Sequence, residues 1–525
     1  MGDNNEVKEN QPKDGNSMQI LEEALLLGKF GKFHVRLMIA TLAAVLASTA
    51  VTTTASYILP NAECDLNMTI MQKGLLNAMP FFGQVGACIF TGFLIDAFGR
   101  KIFLVGGNIG MFVCAVLNGS SQSYWMLLFG KLFEGIFVSI SFGATASMVT
   151  EFIHKKVRDR VMMVHASFMS ISLVIMALLS WGLLIQPWDV VLWKGCFELH
   201  AWNFYFYVCS AFSLIAGISY YYLPESPKFL LSHGQENKAL EILKDIYSIN
   251  TGQDRDTFPI KSLNVTGEYV PTDKYSIKKQ LVNALYEVKT LFRRPFLFHL
   301  IQFSLQTAVC LLAYTSLRLW FPQLSTIVEN YQLAHNETQQ FCVMLDEYTE
   351  GLSKTAVMKS NITGSDICIP QLSGSDTYIN GVIMGVLSLF CISINGYLVS
   401  IVGQKPLMFI MLLLCAACSG SLYWTYTSLQ IAILISATCG LMQTVLSLQQ
   451  SILVRVFPTT LRTLTISLIL MAGRTGSLLG NVVFPIMLQA GCMVPFLTMS
   501  AITVCVSGLV YFLPNPQKNN NAGDQ

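Results

Sequence analysis

The sequence predicts an all-α integral membrane protein, with twelve spanning helices arranged as two parallel six-helix halves. Three observations carry that expectation. Of the 525 residues, 53% are hydrophobic and 12% charged, about half the charged share of a soluble domain. Twelve apolar runs reach the ~20 residues needed to cross a hydrocarbon core. Two separate polar motifs recur at a constant offset of 304 positions. A net charge of +2 leaves no basic excess for nucleic acid. No glycine-rich phosphate loop ending in Lys-Ser or Lys-Thr occurs, so neither an enzyme nor a nucleotide-driven pump is expected, and no cofactor or metal site is implied.

The elements follow in order. Residues 1–33 read as a polar cytoplasmic tail with no cleavable signal peptide, because the first apolar run is already long enough to span. The amino-terminal half, 34–223, holds runs near 36–59, 75–95, 102–118, 124–147, 161–186 and 204–223. A charged linker, 224–296, follows. Its stretch Asn237 to Ile246 sets Leu240, Ile242, Leu243 and Ile246 on one side, the spacing of a short helix. The carboxy-terminal half, 297–513, holds runs near 297–321, 377–401, 406–425, 429–453, 463–488 and 492–513, and residues 514–525 form a second cytoplasmic tail.

Lys and Arg collect on the cytoplasmic side of membrane proteins. With both termini inside, 26 of the 33 fall on that side. The long loop 322–376 then lies outside, as do sequons at Asn67, Asn118, Asn336 and Asn361, which are glycosylation candidates. Asn264 lies inside and should stay bare. Four of the 14 cysteines, Cys64, Cys196, Cys342 and Cys368, face the oxidising side. A Cys342–Cys368 bridge, closing a loop of about 27 residues, is the disulfide candidate and would contribute on the order of 3 kcal/mol; other pairings stay open. The remaining ten read as small buried hydrophobes.

The repeat is specific in its residues. Gly92-Phe-Leu-Ile-Asp96-Ala-Phe-Gly99-Arg100-Lys101 leaves the second span, and Gly396-Tyr-Leu-Val-Ser400-Ile-Val-Gly403-Gln404-Lys405 leaves the eighth. Glu151 through Arg158 leaves the fourth, and Arg455 through Arg462 the tenth. Short loops between packed helices call for glycine. Asp96 and Glu151 need cations nearby, with Arg100, Lys101 and Arg158 as the candidates. Together, Gly92, Asp96, Gly99, Arg100, Lys101, Glu151, Arg158, Gly396, Gly403, Lys405, Arg455 and Arg462 form a candidate cytoplasmic latch. The second half lacks both acids, so its latch is expected to be the weaker one and to tilt the chain toward an inward-open state.

These loop residues resemble the signature of the major facilitator superfamily. Glu151 with Arg158, and Pro224-Glu225-Ser226-Pro227-Lys228-Phe229-Leu230, resemble its sugar-porter and organic-ion branches. With Leu59-Pro60-Asn61-Ala62-Glu63-Cys64-Asp65, Leu319-Trp320-Phe321-Pro322 and Pro458-Thr459-Thr460-Leu461-Arg462, the pattern is similar to the synaptic vesicle glycoprotein and related-protein group, in an insect-like form. The resemblance runs over about residues 20–515. It implies two halves that rock about a midplane solute site. Compared with that group, the amino-terminal region and the outer loop are short, and Ala97 replaces a usual cation, so toxin-receptor and calcium-sensor roles are not carried over.

Charges inside spans are functional candidates because they are costly in lipid. Lys131 and Glu134 sit three apart on one face, and can serve as a structural pair or as a proton site. Arg474 is the deepest lone cation; it faces the cavity or snorkels. Arg318 reads as an outer gate or snorkelling residue, with substrate contact as the alternative. Gln302, Gln306, Tyr314, Asn380, Gln443 and Asn481 are the uncharged pathway candidates. Two readings result. One is a transporter of a small polar or ionic organic solute in the plasma or vesicle membrane, with proton coupling open. The other is a membrane protein that keeps the transporter fold and acts through protein partners.

Overall fold

Backbone polar groups that enter hydrocarbon find no water, so each apolar run closes its hydrogen bonds internally as a helix. The computed structural model describes residues 17–193, 197–263, 291–292, 296–335, 338–359, 373–457 and 459–513. The first half comprises α2 (Lys32–Ile58), α3 (Ile70–Phe98), α4 (Arg100–Gly119), α5 (Tyr124–Phe152), α6 (Lys155–Leu184) and α7 (Ala201–Tyr222). The second comprises α10 (Phe296–His335), α12 (Ser375–Val402), α13 (Gln404–Ser421), α14 (Ser428–Val456), α15 (Thr459–Gln489) and α16 (Met493–Leu509). Among the described residues, eleven of these are long and apolar enough to cross a membrane. The remaining one, α3, has 29 residues including Lys73 and Pro80, and packs against α5 and α15.

Three features depart from expectation. Part of the amino-terminal tail folds as α1 (Ser17–Leu27). It buries Ile20, Leu21, Ala24 and Leu25 against α8 (Pro227–Ser232) and α9 (Glu236–Thr251) of the linker. Asn250 on α9 holds this joint, donating to the carbonyls of Gly28 and Lys29 and accepting from the Phe33 N–H at 2.9 Å. The seventh span does not stop at Pro322; α10 runs on to His335, 40 residues in all. Pro322 has no N–H to donate to the carbonyl of Arg318, one turn back. A two-stranded hairpin, β1 (Asp189–Trp193) with β2 (Phe197–His200), joins α6 to α7; it was too short and exposed to leave a sequence pattern.

The duplication is geometric as well as textual. Gly99 (φ 98°, ψ 164°) and Gly403 (φ 85°, ψ 161°) turn between helices with the same left-sided backbone, which favours glycine. Each donates its N–H to the fourth residue back, Ile95 and Val399, at 3.1 Å. Close helix approach rests on other glycines. A side chain at Gly135 would strike the carbonyl of Pro80, and one at Gly476 the carbonyl of Ala308. Those contacts seat α5 on α3 and α15 on α10, the small-residue packing that lipid-embedded helices use.

One end of the bundle carries α1, α8 and α9 and is called the linker end. The other carries the hairpin and α11 (Phe341–Lys359) and is called the disulfide end. There the expected bridge is corrected: Cys342 pairs with Cys492, 150 positions away, and Cys368 lies outside the described residues. Cys492 had been grouped with the apolar cysteines. The turn before α16 brings it out to α11, where its N–H donates to Asp346 at 2.9 Å. Cys64 is disulfide-bonded too. The sequon at Asn67 is exposed, in a left-handed turn (φ 49°). That at Asn118 is fully buried and is not presented by the folded chain. Asn336 and Asn361 lie outside the described residues.

Replacing Cys342 with Ser should lower the stability of the second half by up to about 5 kcal/mol, because the bridge closes a long loop. The check is the unfolding midpoint of the solubilised protein with and without reductant. Reductant should lower the wild-type midpoint by more than the variant's, because among the described residues the variant keeps only the bridge at Cys64.

Candidate functional site

The two halves meet along α3–α15 and α6–α12, with α2 and α10 at the centre. At the disulfide end the junction is sealed. Residues 43–60, on α2 and just past its end, and 313–329 of α10 are buried at every position. Lys73, 1% exposed, pairs with Glu63 at 2.8 Å and donates across the halves to Gln323 at 3.4 Å. Tyr57 stacks on Tyr378 with centroids 6.2 Å apart. A side chain at Gly381 would meet the Tyr57 hydroxyl, and one at Gly385 the backbone of Val174. Burial pushes the Tyr348 phenol of α11 above its usual range, and the Glu63 carboxylate adds to that.

At the linker end α12 is more open. Gly396 has nothing within 4 Å of a would-be side chain, and Ser393, Tyr397 and Ser400 on α12 are exposed. The α3–α15 seam stays in touch there, through Gly92 and Cys88 against Ser467. The close α6–α12 contacts at Gly381 and Gly385 lie toward the disulfide end.

Between seal and opening stand two arginines of the second half. Arg474 is at the midpoint of α15, ~22 Å from either end at 1.5 Å per residue. Its guanidinium lies 5.8 Å from the ring of Phe142 on α5, in the opposite half, and its side chain is only half-buried. Its position is deep and its ring contact reaches the opposite half. Arg318 lies farther toward the disulfide end and is 7% exposed. One of its nitrogens donates to Thr52 on α2 at 3.3 Å, and the ring of Tyr314 lies 5.4 Å away. Its Nε and the other terminal nitrogen have no partner. An unmatched buried donor costs about 1–3 kcal/mol, more when charged. The two cations are close enough to bear on each other.

Lys131 and Glu134 are both buried and pair at 2.7 Å. Lys131 also donates to Thr54 at 2.6 Å and to the carbonyl of Val51 at 3.2 Å, beneath the ring of Phe206. These contacts tie α5 to α2 and α7, so the pair is engaged inside the first half rather than aimed at the junction. Several other pathway candidates join helices as well. Gln302 donates to the Leu509 carbonyl, Gln306 contacts the Met408 sulfur, and Asn380 donates to Ser325 and Ser428. Asn481 bonds within α15 and lies where Gly74 of α3 packs. Tyr314 sits under Arg318, and Gln443 is half-buried with its side-chain oxygen unpartnered.

The latch of the first half is assembled, with two partners the sequence did not point to. Arg100 pairs with Glu151 at 3.1 Å. Glu225 accepts from the N–H groups of Arg100 and Lys101 at 3.1 Å, closing the start of α4, where a carboxylate suits the helix dipole. Arg158 pairs with Glu22 of α1 at 2.9 Å, not with Glu151. In the second half Gln404, at the position of Arg100, donates to Ser451 at 3.0 Å. Lys405 is half-buried and Arg455 exposed. The side chains of Asp96 and Arg462 lie outside the described residues.

Removing one member of a buried ion pair strands the other, at about 3–5 kcal/mol. Lys131→Met should therefore sharply reduce folded protein, and Lys131→Met with Glu134→Leu should recover most of it, read as monodisperse yield and unfolding temperature. A proton site would instead show normal yield in Glu134→Gln with lost coupling.

The Major Facilitator Superfamily profile matches residues 37–344 and 338–525. Synaptic vesicle glycoprotein 2B of Rattus norvegicus is 25% identical over 221 residues, 42% of this chain and 32% of that protein. Synaptic vesicle glycoprotein 2A of Homo sapiens is 26% identical over 195 residues, 37% and 26% respectively. The match thus spans about a third or less of the length of these curated relatives. Among solved structures, the inward open conformation of the xylose transporter XylE from E. coli aligns with a TM-score of 0.63 at 13% identity, covering 93% of this chain and 98% of that one. The D-xylose-proton symporter aligns at 0.60 and 13%, covering 92% and 98%. That likeness is one of fold. With the profile covering nearly all of the spanning region and the paired halves agreeing in geometry, this chain belongs to the major facilitator superfamily.

Proposed function

We propose that the chain moves a small polar or ionic organic solute across a membrane by alternating access, as a facilitator or a gradient-driven transporter. The linker end is the cytoplasmic one, with both termini on that side. The excess of Lys and Arg there supports this, as do the disulfides at the other end, since such bonds persist in oxidising compartments. The observation that carries the reading is the asymmetry of the junction: buried throughout over α2 and α10 at the disulfide end, more open on α12 at the linker end, with the half-buried Arg474 between them. Two halves that pack through separate seams can exchange which seam is closed. Proton coupling through Glu134 is not part of the proposal, because Lys131 already engages it.

The test compares metabolites in cells expressing wild type, Arg474→Ala or empty vector at matched surface levels. A solute that follows wild type and is lost in the variant supports transport. If no solute follows wild type, the partner-binding reading replaces it. That reading draws on the similarity to synaptic vesicle glycoproteins and on the second latch, which keeps its turn but not its ion pair. A second expectation concerns the seams. In cysteine-replaced protein, Ser400→Cys should react with a membrane-impermeant thiol reagent applied from the cytosol, and Gly381→Cys should stay protected.

A further inference from the structure

We infer that the midline site is built for an organic anion, a carboxylate or a group of the same charge and shape, gripped between Arg318 and Arg474. The inference rests on the transport reading for its biological meaning, but the binding site stands on its own observations.

The first is the charge balance. Residues 377–523 contain no Asp or Glu, and neither does the part of α10 from Phe296 to Val328. No carboxylate of the second half is therefore placed to answer either arginine at the midplane. In the first half α2 has no acid. Of the acids on its other spanning helices, Glu134 is held by Lys131, Glu151 pairs with Arg100 at the linker end, Asp159 is exposed in the first turns of α6, and the side chain of Asp96, near the linker end of α3, lies outside the described residues. The second observation is the unmet valence of Arg318, whose Nε and one terminal nitrogen are buried without a partner. The space beside it, lined by Thr53, Ser56, Tyr57 and Pro322, is about 10 Å³, room for one water at most. The third is position: Arg474 is half-buried and Arg318, farther toward the disulfide end, is 7% exposed, so a solute entering from the linker end would meet one cation first and the second at the closed end.

A planar guanidinium binds carboxylate with two parallel hydrogen bonds. Two of them, with Phe142 and Tyr314 beside them and the hydroxyls of Thr52 and Thr53 above, suit a small body that carries one or two negative charges and a flat or apolar part. A neutral sugar would leave both charges unanswered, and an organic cation would add a third.

The test uses purified full chain and thermal unfolding, with benzoate and succinate as probes and benzamide, succinamide and tetraethylammonium as matched controls at equal ionic strength. The acids should stabilise wild type and the controls should not. Arg474→Gln and Arg318→Gln should each weaken the acid response by tenfold or more in apparent affinity. Arg474→Lys, which keeps charge without the fork, should fall between, and it also serves if the Gln variant does not fold. Equal stabilisation by amides or by tetraethylammonium, no response to either acid, or a response unchanged in both Arg variants would overturn the inference. The metabolite comparison separates the two claims. A neutral or cationic solute following wild type sinks the anion class while transport stands. Acid binding with no solute flux sinks transport while the site stands.

Discussion

A charge carried into hydrocarbon has to be met by an opposite charge or by oriented dipoles, and the placement of each buried cation in this chain follows from how that is done. Lys131 is met by Glu134, by a threonine and by a carbonyl, and three helices of the first half are fastened in the process. Lys73 is met by Glu63 and reaches Gln323, so the same requirement closes the junction at the disulfide end. Arg100 is met by Glu151 at the linker end. Among the described residues, Arg318 and the half-buried Arg474 have no carboxylate paired with them, and they sit where the halves face each other. Structural charges and site charges are thus told apart by their partners rather than by their depth.

The two halves keep a common backbone while differing in chemistry. Gly99 and Gly403 share their turn to within about 15° in each dihedral, because helix-to-helix geometry is enforced by packing and tolerates few residues. The interactions across those turns are free to drift. The first half holds an ion pair and a carboxylate-capped helix start, further braced by α1 and α9, whereas the second holds one amide–hydroxyl bond. An exposed or half-buried pair contributes roughly 0–1 kcal/mol, yet ~1.4 kcal/mol shifts a two-state population tenfold. A single such pair falls short of that shift by itself, so any bias between the seams would also draw on the Glu225 cap and on the bracing by α1 and α9.

Legibility varied with the range of the interaction. All twelve spans were readable, with ends within a few residues except where α10 continues through Pro322, since a helix can pass a proline when its neighbours hold it. The helical stretch of the linker was readable from its apolar spacing. The α1 helix was not, because its apolar residues acquire a face only once α8 and α9 are there to cover it. Glu225 and Glu22, which complete the latch, are remote from Arg100 and Arg158 in sequence, and nothing local marks them as partners.

What the sequence by itself determined is what depends on length, composition and local period: the membrane class, the number of spans, the duplication at one offset, and the roster of charges that hydrocarbon would make expensive. What only the tertiary structure decided is which groups meet. It joined Cys342 to Cys492 rather than Cys368, turned Gln302, Gln306 and Asn380 toward neighbouring helices rather than the junction, engaged Glu134 with Lys131, and left Arg318 and Arg474 facing the opposite half. The physical reason is that a helix in lipid offers several faces of similar polarity. Which face becomes interior is settled by where small residues let another helix approach, and that is a property of pairs of helices far apart in the chain.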